Sequence, residues 1–132
     1  MKYLCLGYYD AAKFAQLSES DRNAFYDACQ AYDDELRARG HFLSGEALDG
    51  ASATATVRTE KGKVSVTDGP FVETKEQLGG VMVMEAKDLN EAIALWSNHP
   101  AIRTSTFEIR PIFDMTPIME ASRQRRRAAG KS

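Results

Sequence analysis

The chain has 132 residues, 43% hydrophobic and 27% charged, an ordinary globular balance that is long enough for one hydrophobic core. Residues 1–119 hold 12 basic and 18 acidic side chains, a net of −6, whereas residues 120–132 hold 5 and 1, a net of +4. An acidic body argues against nucleic-acid binding through that body, because affinity for phosphate depends on clustered Lys and Arg. No apolar run reaches the roughly twenty residues of a membrane-spanning helix, so we expect no membrane association.

The two cysteines and the N-terminus indicate the cellular compartment. Cys5 and Cys29 lie in apolar contexts without Cys-x-x-Cys spacing, which favours two buried thiols over a disulfide or a zinc site. The first residues reach Asp10 too soon for the apolar core of a signal peptide. We therefore expect a cytoplasmic protein.

The first part of the chain predicts a strand and then a long helix. Near-continuous apolar residues over 2–8 are typical of a strand in the middle of a sheet. Between residues 20 and 39, apolar side chains recur at intervals of three and four, which places them on one stripe of a helix. Ser18 caps that helix and Gly40 ends it. The stripe consists of Phe25, Ala28, Cys29, Tyr32 and Leu36. The charged residues that fall mostly on the solvated face are Asp27, Asp33, Asp34 and Arg37.

Short strands and a second helix follow. Three segments with alternating or β-branched residues predict antiparallel strands, which are separated by turns at Asp49–Gly50 and Lys61–Gly62. Val81–Met84 predicts a further apolar strand, Asp88 caps a second helix, and residues 107–110 alternate as a last strand. The three segments cover residues 42–48, 53–59 and 63–67.

This order of elements predicts an α+β, ferredoxin-like fold, which is a split βαβ unit with inserted hairpin strands. Two helices should cover one face of an antiparallel sheet; a second copy would cover the other face, so we expect a homodimer. Residues 1–115 form the domain in this interpretation, and residues 116–132 form a basic tail that we expect to be disordered. The cations of the tail are Arg123, Arg125, Arg126, Arg127 and Lys131.

The most unusual segment runs from Thr67 to Gly80 and places four ionisable side chains within nine residues, directly after a strand. Gly69–Pro70 predicts a rigid non-helical bend, beside which the Asp68 carboxylate can accept hydrogen bonds from the backbone. Phe71 is expected to anchor the turn in apolar surroundings. Such a bend holds its neighbours in a fixed orientation, so we expect the chemistry of the chain to centre on residues 67–76.

This motif resembles that of the YCII-related family, in particular the branch named for its Asp-Gly-Pro-Phe sequence. The similarity covers roughly residues 1–113, with its landmarks in family order. It implies a ferredoxin-like fold that pairs through its sheets into a dimeric α/β barrel. The landmarks are Lys2–Tyr3, Gly45–Leu48, Thr56–Arg58, Asp68–Phe71, Glu73, Lys75–Glu76, Leu78–Gly80, Glu91–Ala92 and Glu108–Pro111.

The resemblance implies two classes of function. The wider barrel superfamily includes small-molecule enzymes, several of which act on aromatic compounds, whereas related domains occur beside or fused to extracytoplasmic-function sigma factors. A related branch is identified with a His–Asp pair whose His lies early in the first helical region. This chain has histidines only at positions 41 and 99, so the resemblance does not transfer that pair.

Asp68 is the candidate general acid or base, and the alternative is a carboxylate that only caps the turn. Cations predicted near it are candidates for binding a substrate carboxylate, and the alternative is a structural salt-bridge network. The predicted substrate-binding residues are Arg58, Phe71, Glu73, Lys75, Glu76 and Arg110.

The histidines and the missing motifs argue against a metal or a cofactor. His41 and His99 each follow a helix, where an isolated His is typical of a helix-dipole partner. Neither has a carboxylate at ligand spacing, so the sequence predicts no metal site. The G-x-x-x-x-G-K, G-x-G-x-x-G and G-x-S-x-G patterns are missing, and we expect no cofactor.

Two functions therefore stand side by side. The first is an enzyme that acts on a small acidic or aromatic molecule by acid/base chemistry in a barrel pocket. The second is a non-catalytic ligand-binding or regulatory accessory domain, for which the resemblance implies a link to sigma factors. A protein-interaction role is the remaining alternative.

Overall fold

The computed structural model describes residues 1–130, so Lys131 and Ser132, which the sequence assigns to the tail, lie outside the described residues. The elements in chain order are β1 (Lys2–Asp10), α1 (Ala11–Ala15), α2 (Glu19–Ala38), β2 (Phe42–Ala47), β3 (Ala55–Glu60), β4 (Lys63–Asp68), β5 (Glu76–Glu85), α3 (Leu89–Ser97), β6 (Ser105–Pro111) and α4 (Thr116–Ala128). Short 3-10 turns occupy Ala51–Ala53 and Pro100–Arg103.

Four strands form one antiparallel sheet in the order β2–β5–β1–β6, and β3 pairs with β4 in a separate hairpin. α2 packs at β2, near one edge of the sheet, and α3 packs at β6 on the other edge. The hairpin is inserted between β2 and β5. The predicted α+β, ferredoxin-like plan with two helices on one sheet face is therefore confirmed.

The hydrophobic core lies between the sheet and these helices. Along β1, Tyr3 and Cys5 are buried on the helix side, whereas Leu4 and Leu6 alternate to the opposite face and are half-buried. The same face of β5 buries Met84, which accepts a contact from the Trp96 indole nitrogen at 2.7 Å. The buried cluster consists of Tyr3, Cys5, Leu36, Met84, Ala86, Ala92, Leu95 and Trp96.

The predicted helix caps are present. The Ser18 hydroxyl accepts a hydrogen bond from the Asp21 amide at 3.0 Å, and the Asp88 carboxylate accepts one from the Glu91 amide at 2.9 Å. These bonds satisfy backbone N–H groups that have no partner inside the helix. Both cysteines are buried and free, as predicted.

Two boundaries differ from the sequence prediction. Asp10 ends β1 and caps the unpredicted helix α1, because its carboxylate accepts hydrogen bonds from the next turn. β5 begins at Glu76 instead of Val81, since its first residues continue the ladder with β1. The ladder is irregular at Gly79, where a Cβ would meet the Tyr9 ring at 2.6 Å. The polar segment 67–76 is therefore divided between the end of β4 and the start of β5.

The prediction of a disordered tail is wrong for residues 116–128, which form α4. Pro117 suits the first turn of a helix, and the Asp114 carboxylate accepts a hydrogen bond from the Thr116 amide at 2.9 Å. The Arg and Ala residues that follow are strong helix formers, which the composition argument did not weigh. Within residues 1–130, none of the helices is long and apolar enough to cross a membrane.

Candidate functional site

A cleft of about 1400 Å³ opens on the helix side of the sheet. Its floor includes small or aromatic residues of the strands, such as Gly7, Tyr9 and Phe107, and its wall is α2. Glycines matter here because a Cβ on Gly7 would meet the Phe107 ring at 3.0 Å, so the close approach of strand and ring depends on glycine. The cleft is larger than the roughly 300–1,000 Å³ of a typical small-molecule site, so a small organic molecule would occupy only part of it.

A buried His–Asp pair lies in this cleft. His99 Nε2 is 2.8 Å from Asp33 Oδ1, although the two residues are 66 positions apart in the chain. The His99 side chain is 5% exposed and the Asp33 side chain 17% exposed, and both residues line the cleft. α2 presents Asp33 inward, which corrects the prediction that this residue belongs to the solvated face.

Backbone geometry fixes which nitrogen of His99 bears the proton. The Ala101 amide, which can only donate, lies 3.1 Å from His99 Nδ1 at the start of the Pro100–Arg103 turn. Nδ1 is therefore the acceptor, and Nε2 carries the hydrogen that is donated to Asp33. Since both ring nitrogens are engaged, the group available for proton transfer with a ligand is the Asp33 carboxylate.

Aromatic rings hold the His99 ring in place. Trp96 stacks on it with ring centroids 4.5 Å apart, and Tyr32 meets it edge-on at 5.2 Å. The Tyr32 hydroxyl donates to the Leu95 carbonyl at 2.6 Å, which fixes that ring in turn. The Phe107 ring also packs near it, with the ring centroids 5.9 Å apart. A ring enclosed in this way has little freedom to rotate, so the direction of its hydrogen bond to Asp33 is fixed.

A second aromatic group lies where α1 meets α2. The Phe14 ring is 6.0 Å from Tyr9 and 5.9 Å from both Phe25 and Tyr26, in edge-on geometry. All four rings line the cleft. The cleft therefore offers flat apolar surfaces at a distance from its charged pair, an arrangement suited to a planar ligand with an acidic group.

Cations lie around the same cleft. Lys13 and Arg103 line it and form no ion pair among residues 1–130, whereas Lys75 approaches Asp10 at 3.8 Å. Arg37 is held by Asp34 at 2.7 Å and lies over the Phe42 ring. Unpaired cations at a cleft can attract an anionic ligand. Within residues 1–130, no group of three or more potential metal ligands is found.

Tyr8 and Glu108 form a further polar contact. Glu108 is opposite Leu6 on β1 and so lies on the sheet face that carries no helix, although both residues also border the cleft. A hydrogen bond from the Tyr8 hydroxyl to Glu108 raises the pKa of the phenol above its usual value, and some burial adds to this. The neighbouring Glu76 carboxylate accepts hydrogen bonds from the Thr106 hydroxyl at 3.2 and 3.4 Å. These contacts tie the start of β5 to β6 through side chains.

The structure divides the residues predicted from the motif. Asp68 is exposed at the end of β4 and does not line the cleft. Arg58 forms an exposed ion pair with Glu60, and its guanidinium lies 5.7 Å from the centre of the Phe71 ring. Phe71 is 70% exposed, so the expectation that it anchors the turn in apolar surroundings is wrong. These residues belong to the hairpin and its exit.

The rest of the predicted set is also separated. Lys75 and Glu76 line the cleft, whereas Glu73 is exposed and does not. Arg110 lies on β6 opposite Leu4, on the sheet face that carries no helix. The motif thus contributes its C-terminal residues to the cleft and leaves Asp68 outside it. A catalytic role for Asp68 stays a prediction.

Sequence reasoning missed the pair that the fold assembles. In sequence, His99 is typical of a helix-end histidine, and Asp33 is one of several acidic residues on the first long helix. One signal was present: Asp33 follows Cys29 by four residues and Tyr32 by one, so it borders the apolar stripe. Nothing in the sequence joins it to a histidine 66 positions later, because that contact depends on packing.

The fold and the cleft define a ferredoxin-like α+β domain with a buried carboxylate–imidazole pair in a cleft large enough to hold a small ligand. The chain belongs to the family of the YCII-related domain, whose model matches residues 1–116.

Two known proteins are similar to the chain. The chain is 40% identical to an uncharacterised protein of Rhizobium meliloti (strain 1021) over 65 residues. This aligned stretch is 46% of this chain and 51% of the relative. The chain thus spans about half the length of the curated relative it matches. A similar solved structure is 5-chloro-2-hydroxyhydroquinone dehydrochlorinase (TftG) from Burkholderia phenoliruptrix AC1100 in complex with 2,5-dihydroxybenzoquinone. The TM-score is 0.51 at 19% identity, over 88% of this chain and 98% of that one, and this likeness shows a shared fold.

Proposed function

We propose that the chain is an enzyme that acts by acid/base chemistry on a small acidic or aromatic molecule bound in the cleft. Asp33 is the general base or acid, and His99 is a positioning residue that holds the Asp33 carboxylate. The observation that carries this proposal is the 2.8 Å hydrogen bond from His99 Nε2 to Asp33 Oδ1 inside the cleft.

The proton transfer follows from the hydrogen bonds. His99 holds one oxygen of Asp33, and among residues 1–130 the other oxygen accepts no hydrogen bond. A ligand hydroxyl or acidic C–H that meets this free oxygen gives its proton to it, and the ligand is left as an anion. Asp33 then returns the proton to another atom or to a leaving group. Lys13 and Arg103 stabilise the anion by charge.

The aromatic residues of the cleft support an aromatic ligand. Rings from α1, α2, α3 and β6 line it, so a planar molecule can stack while its acidic group meets Asp33. The solved relative TftG is an enzyme in complex with a dihydroxybenzoquinone, which is such a molecule. The reaction type of that enzyme is not carried over, because the similarity extends to the fold alone.

The test combines ligand binding with turnover. Wild type is screened by thermal shift against phenols, hydroxyquinones and small carboxylic acids, because a ligand at a hundred times its dissociation constant stabilises a protein by about 2.7 kcal/mol. Ligands that bind are then incubated with the protein, and products are followed by chromatography. Asp33→Asn should still bind the ligand and should lower turnover by about a hundredfold or more.

Three variants serve as comparisons. Asp34→Asn changes the neighbouring exposed carboxylate and should leave turnover within about twofold. His99→Gln should lower kcat and change the pH profile, while a ¹⁵N spectrum of wild type should show the proton on His99 Nε2. Asp68→Asn distinguishes the two candidate carboxylates. If Asp68→Asn abolishes turnover and Asp33→Asn does not, our proposal is wrong and the assignment based on the motif is correct.

The second candidate function is a ligand-binding or regulatory accessory domain, including one that works beside a sigma factor. It is favoured by the hydrogen bonds that engage both His99 nitrogens, since a fixed Asp33–His99 pair also suits a binding site without turnover. In the same screen, wild-type binding without product, weakened in Asp33→Asn, identifies this function.

We further propose a homodimer through the sheet face that carries no helix. Leu4, Leu6, Val81 and Val83 lie on this face and are only half-buried in one chain, so a second copy can cover them. Pairing of two such faces gives the dimeric α/β barrel. The cleft lies on the helix side of the sheet, so each copy holds its own Asp33–His99 pair.

Two finer assignments are supported by the sequence. Asp68–Gly69–Pro70–Phe71 is the reason to assign the chain to the Asp-Gly-Pro-Phe branch of the family. A cytoplasmic location is supported by Cys5 and Cys29, which are free and buried as expected in a reducing compartment.

A further inference from the structure

α4 has no extensive packing partner among residues 1–130. None of its side chains is buried, and its apolar residues Ile118 and Met119 are 49% and 54% exposed. Met115 and Phe113, which precede it, are exposed as well. The chain before α4 is anchored at the end of β6, where the Ile112 amide donates to the Lys2 carbonyl at 3.0 Å. The exposed apolar residues therefore begin directly after the sheet.

A helix of this length needs packing to persist in water. α4 has 13 residues, and isolated helices of about 12–15 residues are marginal even with favourable sequences. Most helical stability in proteins comes from packing an apolar face. The exposed side chains of Ile118 and Met119 are thus expected to meet an apolar surface outside this chain.

Charge indicates which surface that is. α4 carries four Arg and one Glu, a net of +3, and its three consecutive arginines lie in the last turn. α2 carries six acidic and two basic side chains, a net of −4, and all of its acidic residues except Asp33 are exposed. No ion pair joins α4 to α2 among residues 1–130. Asp34 and Glu35 of α2 already pair with Arg37 and Arg39, and Arg123 of α4 pairs with Glu120. Among residues 1–130, the exposed charges without an ion pair include Glu19, Asp21 and Asp27 on α2 and Arg125–Arg127 on α4, so these parts of the two helices are complementary in charge.

We propose that α4 of one chain docks on α2 of a second copy of the same chain. The arginines face the exposed carboxylates of the partner's helix, and Ile118 and Met119 cover apolar surface between them. The contact is reciprocal, as a two-fold pair requires, so each copy gives one helix and receives one. It is separate from the sheet face and does not depend on the proposed catalytic role.

The experiment places a spin label on α4 and observes the other copy. Ala121→Cys is labelled with a nitroxide, because burial raises the pKa of the native thiols, to about 12 for Cys5 and about 11 for Cys29, and slows their reaction. The labelled chain is mixed with ¹⁵N-labelled wild type and equilibrated. We expect amide signals of residues 19–38 in the wild-type copy to broaden, and the effect to weaken at high salt.

Matched variants decide the outcome. Ala94→Cys, a label on an exposed alanine of α3, should not broaden residues 19–38. The double variant with Ile118→Gln and Met119→Gln keeps good helix formers but removes the apolar contact. It should need a protein concentration about tenfold higher than wild type to give the same broadening.

Three results overturn the proposal. The first is no intermolecular broadening at any accessible concentration. The second is broadening confined to the open sheet face. The third is a response of α4 only to vesicles of anionic phospholipid or to duplex DNA, which would assign the basic helix to a membrane or to nucleic acid.

Discussion

His99 and Asp33 depend on each other for their orientation. A buried polar group without a partner costs about 1–3 kcal/mol, and here the imidazole is satisfied at both nitrogens. Trp96 and Tyr32 fix the plane of the His99 ring. His99 therefore holds the Asp33 carboxylate through one oxygen in a fixed direction. Asp33 lines the cleft with one oxygen bonded to His99, which is why the proposed chemistry is assigned to the carboxylate.

The thiols allow a prediction at the residue scale. Burial raises the pKa of Cys29 to about 11, with the nearby Asp33 charge adding to the effect, and burial raises that of Cys5 to about 12. Thiolate is the reactive form, and its fraction at pH 8 falls as the pKa rises. We therefore expect neither cysteine to react with a disulfide reagent within minutes at pH 8 in the folded protein, whereas both react in guanidinium. Rapid reaction of one thiol in the folded state would contradict the burial.

The hairpin and α2 differ in how firmly the fold holds them. β3 and β4 pair only with each other, and Val57, Val64 and Val66 on them are strongly exposed. A two-stranded hairpin alone is marginal in water, so the hairpin carries the motif on a weakly supported element. α2 instead packs into the core through Leu36, and it also buries Cys29. A carboxylate on α2 is therefore held more rigidly than one at the end of β4.

The N-cap of α2 gives a prediction at the element scale. Ser18→Ala removes the hydroxyl that accepts from the Asp21 amide, and it should lower the free energy of unfolding by about 1 kcal/mol. Urea unfolding followed by circular dichroism measures the change. Ser20→Ala, an exposed serine within the same helix, is the control and should stay within about 0.5 kcal/mol. Equal effects of the two variants would mean that the cap contributes nothing specific.

The uncovered sheet face determines assembly of the whole molecule. Leu6→Lys places a charge in the middle of that face, between Val81 on β5 and Glu108 on β6, so a dimer paired through the sheets should dissociate. Sedimentation equilibrium should then give the mass of a single chain. Val64→Lys, on the exposed hairpin, is the matched control and should leave the mass unchanged. A dimer that persists in Leu6→Lys is held by another surface, and the α4 contact would be the next to test.

Local sequence patterns predict the fold class and much of the element order. Three local patterns are responsible: the alternation along β1, the three-to-four spacing on α2, and the caps at Ser18 and Asp88. Each depends only on nearby hydrogen bonds or on one buried face of its element. The family resemblance also depended on local motifs. Element ends were less well predicted, since the start of β5 at Glu76 depends on its partner strand. The helix α4 was not predicted, because its basic composition obscured the helix propensity of its Arg and Ala residues.

Only the tertiary structure decided where the candidate site lies. The Asp68 motif is conspicuous in sequence because its residues are adjacent, yet the hairpin carries Asp68 away from the cleft. Asp33 and His99 are unremarkable in sequence because each is a single polar residue on its helix or turn. They meet because α2 and the turn after α3 pack at the same end of the sheet, which brings positions 66 apart to 2.8 Å. Contacts of this separation arise from packing, and no local pattern encodes them.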